Sequence, residues 1–422
     1  MKIRPTLVRG TVSAPPSKSM THRALICSAL AHGVSRIRHP LVSDDTEATA
    51  SVLRKLGVDI SVEDDLWVVR GGELRSPGSE LFCGESGTTL RFMSAVCSIV
   101  DGECLLTGGP SLSGRPVEPL MDALRQLGVD CESSDGTPPV VVRGKGGIRS
   151  GRVRIRGDIS SQFISALLLV APLGDGETEI RVTTPLESKP YVAMTIDAQR
   201  AFGVNVNSSE DMREFKVDSQ NYKSTDFRVE GDWSSTAFML ASGALAGEVT
   251  VRDLNRQSRQ ADMEIINILG AMGAELSWSG DAVTARKTGL QGIEWNLSDS
   301  PDLFPIVTCL GAAASGRSIL RGLRRLRFKE SDRIASMVGN LVRMGVTVRQ
   351  SGDIVEIEGG APRGAVVDSF GDHRIAMALA VLGLVAAGET TVLDADCVSK
   401  SYPGFWKDLI SIGAETGRQE DE

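Results

Sequence analysis

Cations and carboxylates crowd two short stretches, Lys329-Glu330-Ser331-Asp332-Arg333 and Asp372-His373-Arg374. Lys329 and Arg333 stand four apart, so on a helix they put two like charges on one face, at a cost of a few tenths of a kcal/mol. A bound carboxylate or phosphate reverses that cost, since hydrogen bonds to charged groups contribute about 1.5–3 kcal/mol each. Glu330 and Asp332 would equally offset it. Elsewhere the residue types fit an anion site again: Lys18, Ser19 and Arg23; the turn Gly84-Glu85-Ser86-Gly87-Thr88 followed by Arg91; Arg115; Ser160-Ser161-Gln162; Ser188-Lys189-Pro190-Tyr191; and Lys400. Each has an ordinary reading alone. Asp302 fits a first-turn acid on a helix beginning near Pro301, Glu330 a surface acid, Lys18 a solvated lysine after Pro15-Pro16, and His373 a helix-start or packing histidine. The Gly84–Thr88 turn lacks the lysine-serine ending of a nucleotide phosphate loop.

What must position these residues is a repeat. A helix ending in an apolar residue and glycine, then an alternating strand, recurs at Leu56-Gly57, Leu127-Gly128, Phe202-Gly203, Met272-Gly273, Met344-Gly345 and Ile412-Gly413. The period is about seventy residues, and glycine suits a left-handed helix terminus. Half a unit earlier, a small polar loop opens an apolar helix in each copy: SKSMTHRALICSALA, SGTTLRFMSAVCS, GDISSQFISALLLV, GDWSSTAFMLASGAL, SPDLFPIVTCLGAAA and GDHRIAMALAVLGLV. A helix apolar nearly all round is a buried one. Six copies are therefore expected, each with two helices and several short strands. If three pack per domain with helices parallel, their N-termini gather at one end, where unpaired N–H groups and partial positive charge attract anions. The candidate chemistry lies in those entry loops.

The chain has 422 residues, which suits two domains. Its net charge of −8 opposes a nucleic-acid partner, while the basic island Arg321–Arg333 suits a small anion. Seven scattered cysteines without a CxxC pair, and only four histidines, support neither a disulfide framework nor a metal site. No apolar run approaches a membrane span, and Met1 leads directly into Lys2 and Ile3 without a signal segment, so a cytoplasmic protein is expected.

Lys18-Ser19 with Arg23, GESGTTLR, LTGGP with Arg115-Pro116, SSQF, SKPY, KESDR, DHR and a late Lys400 follow one another in a single order. In this the chain resembles the 3-phosphoshikimate 1-carboxyvinyltransferase (EPSP synthase) family, from residue 1 to about 412. The resemblance implies an α/β fold, a two-domain inside-out barrel with three βαβαββ repeats and buried parallel helices per domain. One domain would span 15–229; the other would be discontinuous, 1–14 with 230–422, with the active site in the cleft between them. It further implies transfer of the enolpyruvyl group of phosphoenolpyruvate to shikimate 3-phosphate, by a monomer needing no metal or organic cofactor. Carried over by position, Lys18, Ser19, Arg23, Ser160, Ser161, Gln162, Ser188, Tyr191, Asp302 and Lys329 would hold shikimate 3-phosphate. Lys18, Gly87, Arg115, Gln162, Arg333, Arg374 and Lys400 would hold phosphoenolpyruvate. Asp302 and Glu330 would be proton acceptor and donor, with Lys18 reaching both substrates.

Two positions depart from that family's commonest pattern: Glu85, where asparagine is usual, and Arg325, where asparagine or histidine is usual. Two rivals share related repeats. Enolpyruvyl transfer to UDP-N-acetylglucosamine would call for a cysteine five residues before Arg115-Pro116, where this chain has Pro110. An RNA 3′-terminal phosphate cyclase would need a nucleotidylated histidine, and His373 beside Arg374 does not supply that motif.

Overall fold

The computed structural model describes residues 1–417, so the end of the expected 230–422 segment lies outside the described residues. The chain divides into two compact units, Pro16–Val229 and Met1–Pro15 with the chain from Glu230 onward. Each has its own apolar core.

The Pro16–Val229 unit holds six α-helices: α1 (Lys18–Leu30), α2 (Asp44–Lys55), α3 (Gly87–Val96), α4 (Glu118–Gln126), α5 (Ser161–Val170) and α6 (Lys189–Ala201). The discontinuous unit holds α7 (Trp233–Ala246), α8 (Ile265–Ala271), α9 (Phe304–Ala313), α10 (Arg333–Arg343), α11 (His373–Gly383) and α12 (Phe405–Ser411). The odd-numbered helices are the apolar ones, and burial explains their composition. In α7 every residue but Ser234 is buried, and in α11 every residue is. Their partners are two-faced: α4 buries Leu120, Met121, Ala123 and Leu124 and leaves its charged side to solvent. The sheets form the outer layer, with strands such as Gly33–Arg38 and Arg317–Arg321 alternating buried and exposed. Helices inside and sheets outside make the inside-out arrangement.

Among the described residues there are six four-stranded sheets with one pattern, a parallel pair followed by an antiparallel hairpin. Leu81–Phe82 runs parallel to Asp101–Thr107, which pairs antiparallel with Thr137–Lys145, itself paired with Asp130–Ser134. Each copy thus reads βαβαββ, as the family resemblance implied. The outer helices end before Gly57, Gly128, Gly203, Gly273, Gly345 and Gly413, whose φ values run from +78° to +100°. A side chain there would carry left-handed strain of roughly 1–2 kcal/mol.

Three copies are completed by strands distant in sequence. Asp226–Arg228 returns to lie parallel with Gly33–Arg38, closing the first copy with the last strand of its unit. In the other unit, Val8–Ser13 pairs in parallel with Gly247–Arg252, and Lys2–Ile3 lies between Thr390–Leu393 and Thr416–Gly417. The start of the chain is therefore built into two sheets of the C-terminal half, which is why that unit is discontinuous. All seven cysteines are free, and six are buried. Among the described residues no helix is long and apolar enough to cross a membrane.

Candidate active site

In the Pro16–Val229 unit, the predicted residues cluster where α1, α3, α5 and α6 begin. Lys18 is the first residue of α1, and its Nζ donates to Asp45 Oδ2 of α2 at 2.7 Å. Arg23, one turn further, is 2% exposed. It donates to Thr195 Oγ1, to the Ser19 carbonyl and to the Tyr191 carbonyl, each at 2.8 Å. The bonds to Thr195 and Tyr191 tie α1 to α6. Ser188 occupies the N-cap of α6 with φ of 55°, and its carbonyl accepts from the Tyr191 N–H at 3.1 Å. Ser160 caps α5, Ser161 opens it, and Gln162 reaches across to α3. Gln162 Nε2 donates to Thr88 Oγ1 at 2.9 Å, and its Oε1 accepts from Arg91 Nη1 at 2.7 Å.

Gly87 begins α3 against Arg115. A Cβ on Gly87 would lie 2.6 Å from Arg115 Nη1 and 2.8 Å from its Cζ, so only glycine admits the guanidinium in this position. The loop carrying Arg115 is braced by Glu85, whose carboxylate accepts from both the backbone N–H and the hydroxyl of Ser111. The departure at Glu85 is thus a loop brace.

In the discontinuous unit, the other predicted residues form one ion-pair network. Arg333, the first residue of α10, is 1% exposed. Its guanidinium donates to Asp372 Oδ2 at 2.7 Å, Asp302 Oδ1 at 2.8 Å and Glu330 Oε2 at 2.7 Å. Lys329 Nζ donates to Asp302 Oδ1 at 3.1 Å, and Arg374 Nη2 lies 3.0 Å from Asp302 Oδ2. Lys400 stands at the edge, with Nζ donating to the Gly371 carbonyl at 3.0 Å beside Asp372. Lys329 and Arg333 do not share a helix face, contrary to the sequence expectation. Lys329 lies in extended backbone after the Arg324–Phe328 turn, and α10 starts only at Arg333. What unites them is Asp302, which sits in the short Pro301–Leu303 turn ahead of α9.

The electrostatics separate the carboxyl groups. Burial alone would raise Asp302, but Arg374, Lys329 and Arg333 outweigh it and hold the carboxyl well below its usual range. Burial, reinforced by the Asp302 charge, instead pushes Asp262 up to about 6 against the pull of Arg374. Lys329 is lowered to about 8, chiefly by burial, with Asp302 resisting and Arg333 adding to the fall. Asp302 is thus a carboxylate kept ionised among three cations.

Sequence reasoning gave no role in the site to several participants. Asp45, the partner of Lys18, reads as a first-turn acid of α2. Asp372 reads as the N-cap of α11, which it is, accepting from the Arg374 N–H at 3.0 Å, but it also receives Arg333. Asp262 lies 4.0 Å from Arg374 and accepts from the Ser234 hydroxyl. Its only sequence signal is an isolated acid. Arg325, the second departure, is buried and donates to the Ser298 carbonyl at 2.6 Å. Among the described residues no group of three or more His, Cys, Asp or Glu side chains is arranged to hold a metal ion.

Comparison with known proteins decides the family. The model of EPSP synthase (3-phosphoshikimate 1-carboxyvinyltransferase) matches residues 3–409. The chain belongs to the EPSP synthase family. A 3-phosphoshikimate 1-carboxyvinyltransferase of Methanocorpusculum labreanum is 46% identical over 413 residues, covering 97% of both chains. One from Methanothermobacter thermautotrophicus is 45% identical over 412 residues, covering 96% of each. The EPSP synthase structure from Acinetobacter baumannii superposes with a TM-score of 0.83 at 28% identity, over 99% of both chains. An enolpyruvyl transferase, NikO of Streptomyces tendae, has a TM-score of 0.81 at 18% identity over 98% of this chain and 97% of its own, a likeness of fold alone.

Proposed function

We propose that this protein moves the enolpyruvyl group of phosphoenolpyruvate onto the 5-hydroxyl of shikimate 3-phosphate and releases inorganic phosphate. The observation that carries the reading is Asp302, held ionised by Lys329, Arg333 and Arg374 in a chain matched to this family from residue 3 to 409. Shikimate 3-phosphate would be held by Lys18, Ser19, Arg23, Ser160, Ser161, Gln162, Ser188, Tyr191, Asp302 and Lys329. Phosphoenolpyruvate would be held by Lys18, Gly87, Arg115, Gln162, Arg333, Arg374 and Lys400. The protein works as a cytoplasmic monomer without nucleic acid, metal or organic cofactor.

The roles follow from the bonds that change. The 5-hydroxyl oxygen bonds to the enol carbon of phosphoenolpyruvate while Asp302 takes its proton. Glu330 gives a proton to the methylene, and a tetrahedral ketal results. Loss of a proton from the new methyl group then restores the double bond as the carbon–oxygen bond to phosphate breaks. Arg333 is held by Asp372, Asp302 and Glu330 before any substrate binds. An incoming anion that takes over its N–H groups frees Glu330 from a cation, and a carboxylate so released is easier to protonate. Aligning the two acids supplies a further ~7–11 kcal/mol through lost translational and rotational freedom.

Phosphate release, with and without shikimate 3-phosphate, tests the reading. Asp302→Ala and Glu330→Gln should each lose about 10²–10⁴ in kcat, the usual share of a general acid or base, while both substrates still bind by calorimetry. Full turnover in Asp302→Ala would remove the base. Turnover with UDP-N-acetylglucosamine but not with shikimate 3-phosphate would move the protein to the sister reaction.

A further inference from the structure

A row of buried hydroxyls runs behind Lys18 and Gly87. His22 lies four residues after Lys18 on α1 and is 1% exposed. Its Nδ1 is 2.8 Å from Thr49 Oγ1 on α2, and Thr49 Oγ1 is 2.7 Å from Thr89 Oγ1 on α3. Thr89 donates to Ser86 Oγ at 2.8 Å, with the Asp45 carbonyl at 3.3 Å as its other acceptor. Thr49 and Thr89 are wholly buried and Ser86 is 1% exposed, so these groups are satisfied by one another and by the Asp45 carbonyl.

The row has a direction. Each hydroxyl carries one hydrogen. If Thr89 gives its hydrogen to Ser86 or to Asp45, Thr49 must donate to Thr89, and His22 must donate Nδ1–H to Thr49. That assigns the tautomer, leaving Nε2 as a bare lone pair. Among the described residues nothing offers Nε2 a hydrogen-bond partner, so a second proton would strand a buried donor. The surroundings agree: burial first, then the Lys18 and Arg23 charges, hold His22 well below the usual imidazole range.

Both ends of the row touch groups that matter. Ser86 is the N-cap of α3, accepting from the Thr89 N–H at 3.2 Å, and fixes the turn that presents Gly87 to Arg115. Asp45 is the partner of Lys18. We propose that His22 is a positioning residue: protonated on Nδ1, it orders Thr49 and Thr89 and so sets the start of α1, with Lys18, against the start of α3, with Gly87, for binding phosphoenolpyruvate. The proposal rests on the reading above that Lys18 and Gly87 hold this substrate.

Steady-state kinetics on the full chain test it through His22→Leu, His22→Asn and Thr49→Val. Loss of the row should raise KM for phosphoenolpyruvate about tenfold in His22→Leu and Thr49→Val, the equivalent of one buried hydrogen bond. KM for shikimate 3-phosphate should rise less, because the Gly87 end of the row serves phosphoenolpyruvate alone, and kcat should stay within about twofold, a split that a merely structural role would not produce. His22→Asn, whose amide nitrogen can stand in for Nδ1–H, should recover most of the loss, and the double variant His22→Leu/Thr49→Val should be no worse than either single one. An unchanged KM for phosphoenolpyruvate in Thr49→Val, or equal rises in both KM values, overturns the proposal. Should His22→Leu not fold, the contrast of Thr49→Val with Thr49→Ser, which keeps the hydroxyl and should match wild type, decides alone. Lys18→Met separates the two levels. If it leaves KM for phosphoenolpyruvate unchanged, the site reading fails; if only Thr49→Val is without effect, this inference fails and the site stands.

Discussion

Lys329 is a cation that its surroundings weaken. Burial, opposed by Asp302 and aided by Arg333, brings its ammonium to about 8, so it is charged below that pH and neutral above it. As an anchor for a phosphorylated acid it should therefore fail on the alkaline side. The value of kcat/KM for shikimate 3-phosphate is expected to fall above pH about 8, and Lys329→Arg, which stays charged, should remove that limb. Stability moves the other way. The unfolded chain holds this proton up to roughly pH 10.4, so between about 8 and that pH the native state binds fewer protons and gains stability as pH rises. A melt whose alkaline limb follows the loss of binding would contradict the assignment. Gly87 gives a second residue-scale prediction. A methyl group 2.6 Å from Arg115 Nη1 must displace the guanidinium, so Gly87→Ala should raise KM for phosphoenolpyruvate by roughly tenfold or more. Saturation curves for the two substrates would show whether the change is confined to one.

At the scale of the element, helix starts carry both structure and chemistry. Asp372 caps α11 and also accepts Arg333 at the start of α10, with both side chains essentially buried. Removing it takes from Arg333 one of its three carboxylate partners and from α11 its cap. Asp372→Ala should cost about 3–5 kcal/mol, the usual penalty for breaking a buried pair from one side, read by urea unfolding of the discontinuous unit. Much of this architecture was legible beforehand. Six glycines after apolar residues marked the outer helices because a left-handed terminus admits little else, and six polar loops before apolar runs marked the buried ones. The cations and polar residues of the candidate site could be listed from the motifs. Their connections could not. Asp45 and Asp262 look like ordinary acids until folding sets them beside Lys18 and Arg374. The spacing of Lys329 and Arg333 suggested a shared helix face, because periodicity cannot report that the chain is still extended at Lys329. Hydroxyls such as Thr49 and Thr89 carry no signal at all: threonine in a buried helix is as often a packing residue as a donor.

For the molecule as a whole, two separate cores imply two separable stabilities. Ile3 is fully buried in the core of the discontinuous unit, and its side chain packs against Gly383 of α11. Ile3→Ala should lower the stability of that unit by about 2–5 kcal/mol and leave the Pro16–Val229 unit untouched, which differential scanning calorimetry would resolve as one shifted transition beside one unshifted. A single transition moving as a block would mean that the units unfold together. The placement of Lys2–Ile3 also bears on how the chain is made. Its register partner, Thr390–Thr391, leaves the ribosome some 388 residues after Ile3, the difference between 391 and 3. At about 5–20 residues per second, the first strand waits roughly 20–80 s for a mate. The intervening unit can finish folding meanwhile, so newborn chains would carry one mature half and an unclaimed β-strand, the stage at which a chaperone would find most to hold.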